Sequence, residues 1–299
     1  MTMKPYRSML FVPGHKGAWA DKGVNSGTDA LILDLEDSVP PVEKVAARDM
    51  VAETIDRLTG QGVRPDLWVR VNPEETGLMN GDLEAVVRPG LAGLFLAKIY
   101  NETDVVRLDA VLSHIERLRG LDDGHVKLLA CFETAEAMGS CEKIVAASGR
   151  MVSALGATGP NADAGRSLGI EFTLEGLETL YMRSRVNLAL RQIGLSHPMA
   201  GVWQDIRNLD GLRTFCEDNR RLGYRGLVAI HPSHVAVANE VYGPDPEEVA
   251  TARRLISVYN EAEAAGSSAV DFEGQHIDIA HVKTAQALVD LAEAIEAGS

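Results

Sequence analysis

Asp29-Ala30-Leu31-Ile32-Leu33-Asp34-Leu35-Glu36 is the stretch that decides the fold class. Its apolar core does not alternate with polar residues, so a strand made from it must be covered on both faces, and it closes on acids. Working outward, the same reading applies to YRSMLFV (6–12), DLWVRVN (66–72), GLFLAKI (93–99), VKLLACFE (126–133), MVSALGA (151–157), HPMAGVW (197–203) and GLVAIHP (226–232), eight runs in all. Between them, segments such as 43–58, 102–120 and 135–149 return apolar residues at every third and fourth position, the spacing of amphipathic helices. Strand and helix in strict turn predict an α/β chain with a parallel sheet, and at this length a (β/α)8 TIM barrel. A doubly wound open sheet is the alternative, because periodicity alone does not close a barrel.

The rhythm changes after residue 243. Asp245 reads as a helix cap with Pro246 at the first helical position, the helix runs to about Ala265, Glu273-Gly274 reads as a turn, and a last helix covers about 280–297. The expected organisation is a barrel over 1–242 and a C-terminal helical and hairpin extension over 243–299 that serves as a lid or a subunit contact.

The chain has 299 residues and a formal net charge of −14, which argues against a nucleic-acid or anionic-membrane surface. The N-terminus has no signal-peptide pattern, and no apolar run is long enough to span a membrane. Cys131, Cys141 and Cys216 form no CxxC pair and read as core fillers in a reducing compartment, so a cytoplasmic location is expected.

Polar residues gather where the predicted strands end: Asp34, Glu36 and Asp37 after the second, Arg70 and Asn72 after the third, Lys98 after the fourth, Glu133 and Thr134 after the fifth, His231 after the eighth. In a barrel that edge carries the chemistry. Glu133, with Asp163 in the loop after the sixth strand, offers oxygen ligands suited to magnesium, whereas no HExxH or similar histidine cluster supports zinc. Arg70 suits a substrate carboxylate or a developing enolate oxygen, with Glu36 or Asp37 behind it as an ion-pair partner. Lys98 reads either as a Schiff-base lysine or as an ordinary ammonium paired with Glu102 or Asp37, and acidic neighbours favour the second by raising its pKa. His231 reads as a substrate ligand or as a closure of its strand. Val12-Pro13-Gly14-His15-Lys16 places a glycine and a cation where a phosphate could approach, but GxGxxG, GxxxxGK and GxSxG are absent.

Read together, Arg7-Ser8-Met9-Leu10-Phe11-Val12-Pro13-Gly14, Asp29 through Val39, the Glu43-Lys44 and Ala47-Arg48 pairs, Val69-Arg70-Val71-Asn72, Glu133-Thr134-Ala135, Arg183-Ser184-Arg185 and Ile230-His231-Pro232 resemble the HpcH/HpaI aldolase and citrate lyase beta-subunit family, nearest its CitE-like acyl-CoA lyases. The resemblance implies a magnesium-dependent barrel, commonly a homotrimer, that cleaves a malyl-CoA, citramalyl-CoA or citryl-CoA-like thioester to an oxo acid and a shorter acyl-CoA. It carries the metal ligands to Glu133 and Asp163, the substrate arginine to Arg70, the supporting acids to Glu36 and Asp37, and a tail aspartate from a neighbouring subunit to Asp278. His15 and Lys16 are the expected contacts to the CoA thioester's phosphates.

The chain departs from the family pattern after the sixth strand. Counting forward from Glu133 reaches Gly156-Ala157-Thr158-Gly159, which has no acid; counting back from Leu168-Gly169 reaches Asp163, with Ala162 in place of the usual glutamate. Leu227 and His234 also stand where relatives often carry lysine and glutamine. Three alternatives share the same barrel: a malyl-CoA-like thioesterase, an aldolase on a free hydroxy-oxo acid, and a non-catalytic subunit with an altered metal loop.

Overall fold

The computed structural model describes residues 4–156 and 163–297. The chain divides into two compact units, one ending at Tyr242 and one starting at Gly243.

In the first unit eight parallel strands close into a barrel in sequence order. They are β1 (Ser8–Pro13), β2 (Ala30–Asp34), β3 (Asp66–Val71), β4 (Leu91–Leu96), β5 (Lys127–Phe132), β6 (Met151–Gly156), β7 (Met199–Ala200) and β8 (Gly226–Ala229). The helices between and after them are α1 (Gly17–Val24), α2 (Lys44–Gly60), α3 (Met79–Val86), α4 (Glu102–Leu118), α5 (Ala135–Gly139), α6 (Cys141–Ala146), α7 (Asp163–Leu168), α8 (Leu180–Gln192), α9 (Leu209–Arg221) and α10 (Ser233–Tyr242). The β1–β8 pairing, Ser8 to Leu227 through Leu10 to Ala229, closes the sheet and removes the open-sheet alternative.

The unbroken apolar runs follow from this closure. Met9, Ile32, Trp68, Phe95, Leu129 and Cys131 fill the barrel interior, while Leu10, Leu31, Leu33, Val69, Leu94 and Leu96 join the helix-facing core. Successive residues of one strand thus enter two different cores, and both are predominantly apolar. Trp68 fits because Gly93 stands opposite it in the β3–β4 register: a Cβ there would lie 2.4 Å from the indole.

The observed boundaries differ from the sequence reading where side chains or backbone end an element. β2 stops at Asp34 rather than Glu36, because the Asp34 carboxylate accepts the N–H groups of Glu36 and Ser38 at 2.9 and 3.1 Å and turns the chain. β7 keeps only two residues, between Pro198, which has no N–H, and Gly201, where φ is 143°. The single helix expected over 135–149 is two short ones meeting at Ser140.

At the N-terminal ends of β5 and β6 Arg150 spends all of its donors. Arg150 Nη1 and Nη2 donate to the Glu116 carboxylate at 2.7 Å each, and the remaining donors reach Asp109, Ser113 and the Val126 carbonyl. All three cysteines are buried and free.

The second unit is a helix–hairpin–helix. α11 (Pro246–Ala264) starts on the Asp245 cap, whose Oδ1 accepts from Glu247 N and Glu248 N, and β9 (Val270–Phe272) pairs antiparallel with β10 (Gln275–Ile277). Glu273 and Gly274, both at positive φ, make the tight turn. α12 (Ile279–Ala297) packs Val282, Ala285 and Val289 against Ala252, Leu255, Ile256 and Tyr259 of α11. Among the described residues no helix is long and apolar enough to cross a membrane.

Two outcomes follow from this packing. Gly93→Ala should lower the unfolding free energy by about 3 kcal/mol in a urea titration, because neither the indole nor the Lys127 carbonyl at 2.7 Å has room to yield. Gly60→Ala, with nothing within 4 Å of its Cβ, should leave stability unchanged or slightly raised. His197 is buried with Nε2 3.2 Å from the Tyr6 carbonyl, and burial pushes its pKa down to about 4. Its unfolded form binds a proton near pH 6.5, so its contribution is complete above that pH and is lost as pH falls toward 4. Between about pH 6.5 and 4.5 the wild type should lose about 2 kcal/mol more than His197→Gln, measured by unfolding at each pH.

Candidate functional site

The site begins with a register. Parallel pairing sets Asp34 at the end of β2 beside Arg70 on β3, and Arg70 beside Phe95 on β4. Arg70 Nε and Nη2 donate to Asp34 Oδ1 and Oδ2, both at 2.7 Å, a two-pronged carboxylate–guanidinium contact. The guanidinium lies over the Phe11 ring, 4.6 Å from its centroid, and Phe11 meets Phe95 edge-on at 5.3 Å. Burial works against the charge on both partners. The hydrogen bonds and charge of Arg70 nevertheless hold the Asp34 carboxyl below its ordinary value, and Asp34, Glu36 and Asp37 hold Arg70 above its own.

The sequence reading expected Glu36 or Asp37 behind Arg70; the forked partner is Asp34, because it shares the sheet register while the chain has already turned at Glu36. Glu36 Oε2 does approach Arg70 Nη1 at 2.9 Å, but without hydrogen-bond alignment, so this is an ion contact only. Two of Arg70's five donors are therefore committed to Asp34, in contrast to Arg150, which spends all of its own inside the protein. A largely buried, rigid cation with donors to spare is what anion recognition needs.

Lys98 joins the next two acids. Its Nζ donates to Glu36 Oε1 at 2.7 Å and lies 3.5 Å from Asp37 Oδ1, while its backbone N–H donates to Glu133 Oε1 at 2.8 Å. Burial would lower the Lys98 pKa, but Glu36, Asp37 and Glu133 outweigh it and the pKa is raised. Lys98 is thus an ammonium paired with Glu36 and Asp37 rather than with Glu102, and an amine held in its charged form is a poor Schiff-base nucleophile. Glu133 has its pKa raised, chiefly by burial and further by Glu36, against the opposing Lys98 N–H and the Arg70 charge. Its Oε2 has the Cys131 Sγ, at 3.8 Å, as its hydrogen-bond partner.

Behind these groups lies a brace of Asn72, Lys44 and Arg48, which the sequence reading named without this role, and Asp82, which it did not name. Lys44 Nζ donates to the Leu35 and Glu36 carbonyls and to Asn72 Oδ1, Asn72 Nδ2 donates to Leu35 O and Asp82, and Arg48 donates to Asp82. Together they fix the backbone on which Glu36 stands. The signal available was weak: polar residues on helices over a barrel are common, and the contact pattern needs the fold. Gly14 belongs to the same construction, since its N–H donates to Asp34 O at 2.8 Å and a Cβ would lie 2.5 Å from that oxygen.

The other expected residues have local contacts. Lys16 is exposed, 5.5 Å over the Trp19 ring, and among the described residues neither it nor His15 bonds to Arg70 or Glu133. Asp163 is the first residue of α7 and pairs with Arg166. α7 adjoins the Glu133 loop, because Ala135 N–H donates to Ser167 Oγ at 2.9 Å and Ala164 packs into the barrel interior. Residues 157–162, which include Ala157, Thr158, Gly159 and Ala162, lie outside the described residues. His231 Nδ1 meets Ser233 Oγ at 2.7 Å and accepts from Ser233 N, a local turn after β8. In the second unit Asp278 caps α12, accepting from Ala280 N at 3.0 Å and pairing with His281 Nδ1 at 2.7 Å.

The model of the family described as HpcH/HpaI aldolase/citrate lyase matches residues 7–232. Two relatives from Cereibacter sphaeroides, a (3S)-malyl-CoA thioesterase and an L-malyl-CoA/beta-methylmalyl-CoA lyase, are each 32% identical, over 98% of this chain and 96% of their own. The solved structure of CitE from Mycobacterium tuberculosis in complex with magnesium, acetoacetate and coenzyme A superposes with a TM-score of 0.73 at 26% identity, covering 97% of this chain and 98% of the other.

The Asp34–Arg70 fork should show itself as coupling. Asp34→Asn should cost about 3 kcal/mol of unfolding free energy, because it strands a largely buried cation, and Asp34→Asn with Arg70→Met should cost clearly less than the two single changes summed. Strict additivity in urea unfolding would mean the pair is energetically independent.

Proposed function

The chain belongs to the HpcH/HpaI aldolase/citrate lyase family, and from that premise we propose that it is a magnesium-dependent carbon–carbon lyase that splits a 3-hydroxyacyl-CoA carrying a further carboxylate into an oxo acid and a shorter acyl-CoA. The observation that carries the reading is Arg70: a largely buried guanidinium oriented by Asp34, with unspent donors, beside the half-buried carboxylate of Glu133.

The donor set fits magnesium. Among the described residues no group of three or more His, Cys, Asp or Glu side chains forms a ready cage. Magnesium does not need one, since it is usually held by one or two carboxylates with waters and substrate oxygens completing its shell. Arg70 and Lys98 against Asp34, Glu36, Asp37 and Glu133 leave a formal charge of minus two at the mouth, the charge a divalent cation offsets. Glu133 and Asp163 would hold the ion, Asp163 exchanging its Arg166 partner for it.

When bound, magnesium supplies a positive charge that lowers the cost of alkoxide character at the substrate hydroxyl. Arg70 binds the carboxylate of the small acid half and orients it, with Asp34 fixing the plane of the fork and Phe11 its face. As the hydroxyl proton passes to a water in the mouth, the carbon–carbon bond breaks, the hydroxyl carbon becomes the oxo group, and the bonding pair passes to the acyl-CoA as an enolate that takes up a proton in turn. Asp278 from a neighbouring subunit, or a water, is the assigned proton donor. A homo-oligomer, a trimer in particular, belongs to this reading, as does a cytoplasmic location, and His15 and Lys16 are its assigned contacts to the CoA phosphates.

A thioesterase outcome is the second reading, favoured by the (3S)-malyl-CoA thioesterase relative. Calorimetry of magnesium with pyruvate present should show binding to the wild type that falls below detection in Glu133→Ala and in Asp163→Ala. With malyl-CoA, an oxo acid and acetyl-CoA mark the lyase, free CoA and malate mark the thioesterase, and no turnover with no metal binding would sink both.

A further inference from the structure

Among the described residues only Lys98 and Glu273 combine a side chain with a positive φ. Glu273 sits in a tight hairpin turn, where such a backbone is expected; Lys98, at φ 49°, follows a barrel strand and makes no hairpin. A left-handed backbone is costly for a residue with a Cβ and persists where surrounding contacts hold it. What it achieves here is geometric. The φ angle fixes the dihedral between a residue's N–H and its Cβ, and at positive φ the two diverge more widely than in strand or helix. One residue can then reach two separate groups.

Resting on the lyase reading above, we propose that Lys98 is the positioning residue of the site: its backbone N–H orients the metal-ligand carboxylate of Glu133, and its ammonium shares the Glu36 carboxylate with Arg70. The first contact, 2.8 Å to Oε1, fixes the carboxylate's rotation, and Oε2 keeps only the long 3.8 Å contact with the Cys131 thiol, which a cation would displace. The second, 2.7 Å to Glu36 Oε1, compensates an acid that is only 2% exposed. Glu36 Oε2 lies 2.9 Å from Arg70 Nη1, so the acid is shared between the two cations, and without the ammonium its charge would rest on the guanidinium alone, in competition with a substrate carboxylate. Lys98 touches neither substrate nor metal in this scheme. It sets the orientation of one ligand and takes up part of the negative charge beside Arg70.

The two arms are separable by substitution. Lys98→Arg keeps the cation, Lys98→Gly keeps the N–H and adopts positive φ without strain, and Lys98→Met loses the ammonium while still opposing the backbone geometry. Calorimetric magnesium affinity, with pyruvate present, should fall in the order wild type, Lys98→Arg, Lys98→Gly, Lys98→Met. The last should be weaker than wild type by about 10–100-fold, the usual effect of losing an outer-shell partner. Chemical unfolding without metal provides an independent readout: Lys98→Met should show a lower urea midpoint than Lys98→Arg because Glu36 loses one of its two cationic partners. Wild-type magnesium affinity in Lys98→Met, or Lys98→Gly binding no better than Lys98→Met, overturns the proposal. A wild type that binds no magnesium would overturn the metal reading instead, and the unfolding series would still judge the Glu36 arm by whether Lys98→Met and Lys98→Arg differ.

Discussion

The site depends on one contact across one register, the two-pronged bond between Asp34 on β2 and Arg70 on β3. A guanidinium in a barrel mouth is costly to bury unless a carboxylate of matched geometry meets it. Asp34 meets that need and simultaneously caps the turn that sends Glu36 and Asp37 back over the mouth. The same residue therefore sets the plane of the cation and the direction of the acids around it. Gly14 closes against the Asp34 carbonyl, Lys44 holds the carbonyls of Leu35 and Glu36, and Phe11 supports the guanidinium face. Each is a support for that first contact.

The two ends of the barrel use the same chemistry for opposite purposes. Arg150 and Glu116 form a fork like that of Arg70 and Asp34, but every remaining donor of Arg150 is spent on Asp109, Ser113 and Val126. It closes the structure. Arg70 keeps donors back and stands among acids whose charge exceeds that of the cations. A site that is electrostatically incomplete in the protein alone is one that a charged ligand completes.

Much of this was legible in the residues. The eight apolar runs marked the strands, and polar residues closing them marked a candidate edge for chemistry, because a barrel strand covered on both faces is mostly apolar until it nears its end. Arg70, Glu36, Asp37 and Glu133 were all singled out by that rule. Asp34 was seen as part of the acidic strand end yet not as the partner of Arg70, since that pairing depends on how β2 and β3 align. Asn72, Lys44 and Asp82 form a brace whose bonded pairs are 28 and 10 residues apart, too far for spacing to reveal.

The sequence by itself determined the alternation of strands and helices, the family, and the kinds of side chain delivered to the barrel's edge, because these follow from local periodicity and from residue chemistry. Tertiary structure alone decided the closure of β1 on β8, the choice of Asp34 over Glu36 as the fork of Arg70, and the reach of Lys98 to two carboxylates. Those depend on register and on a left-handed φ, quantities fixed by the packing of distant segments and invisible to any window of neighbouring residues.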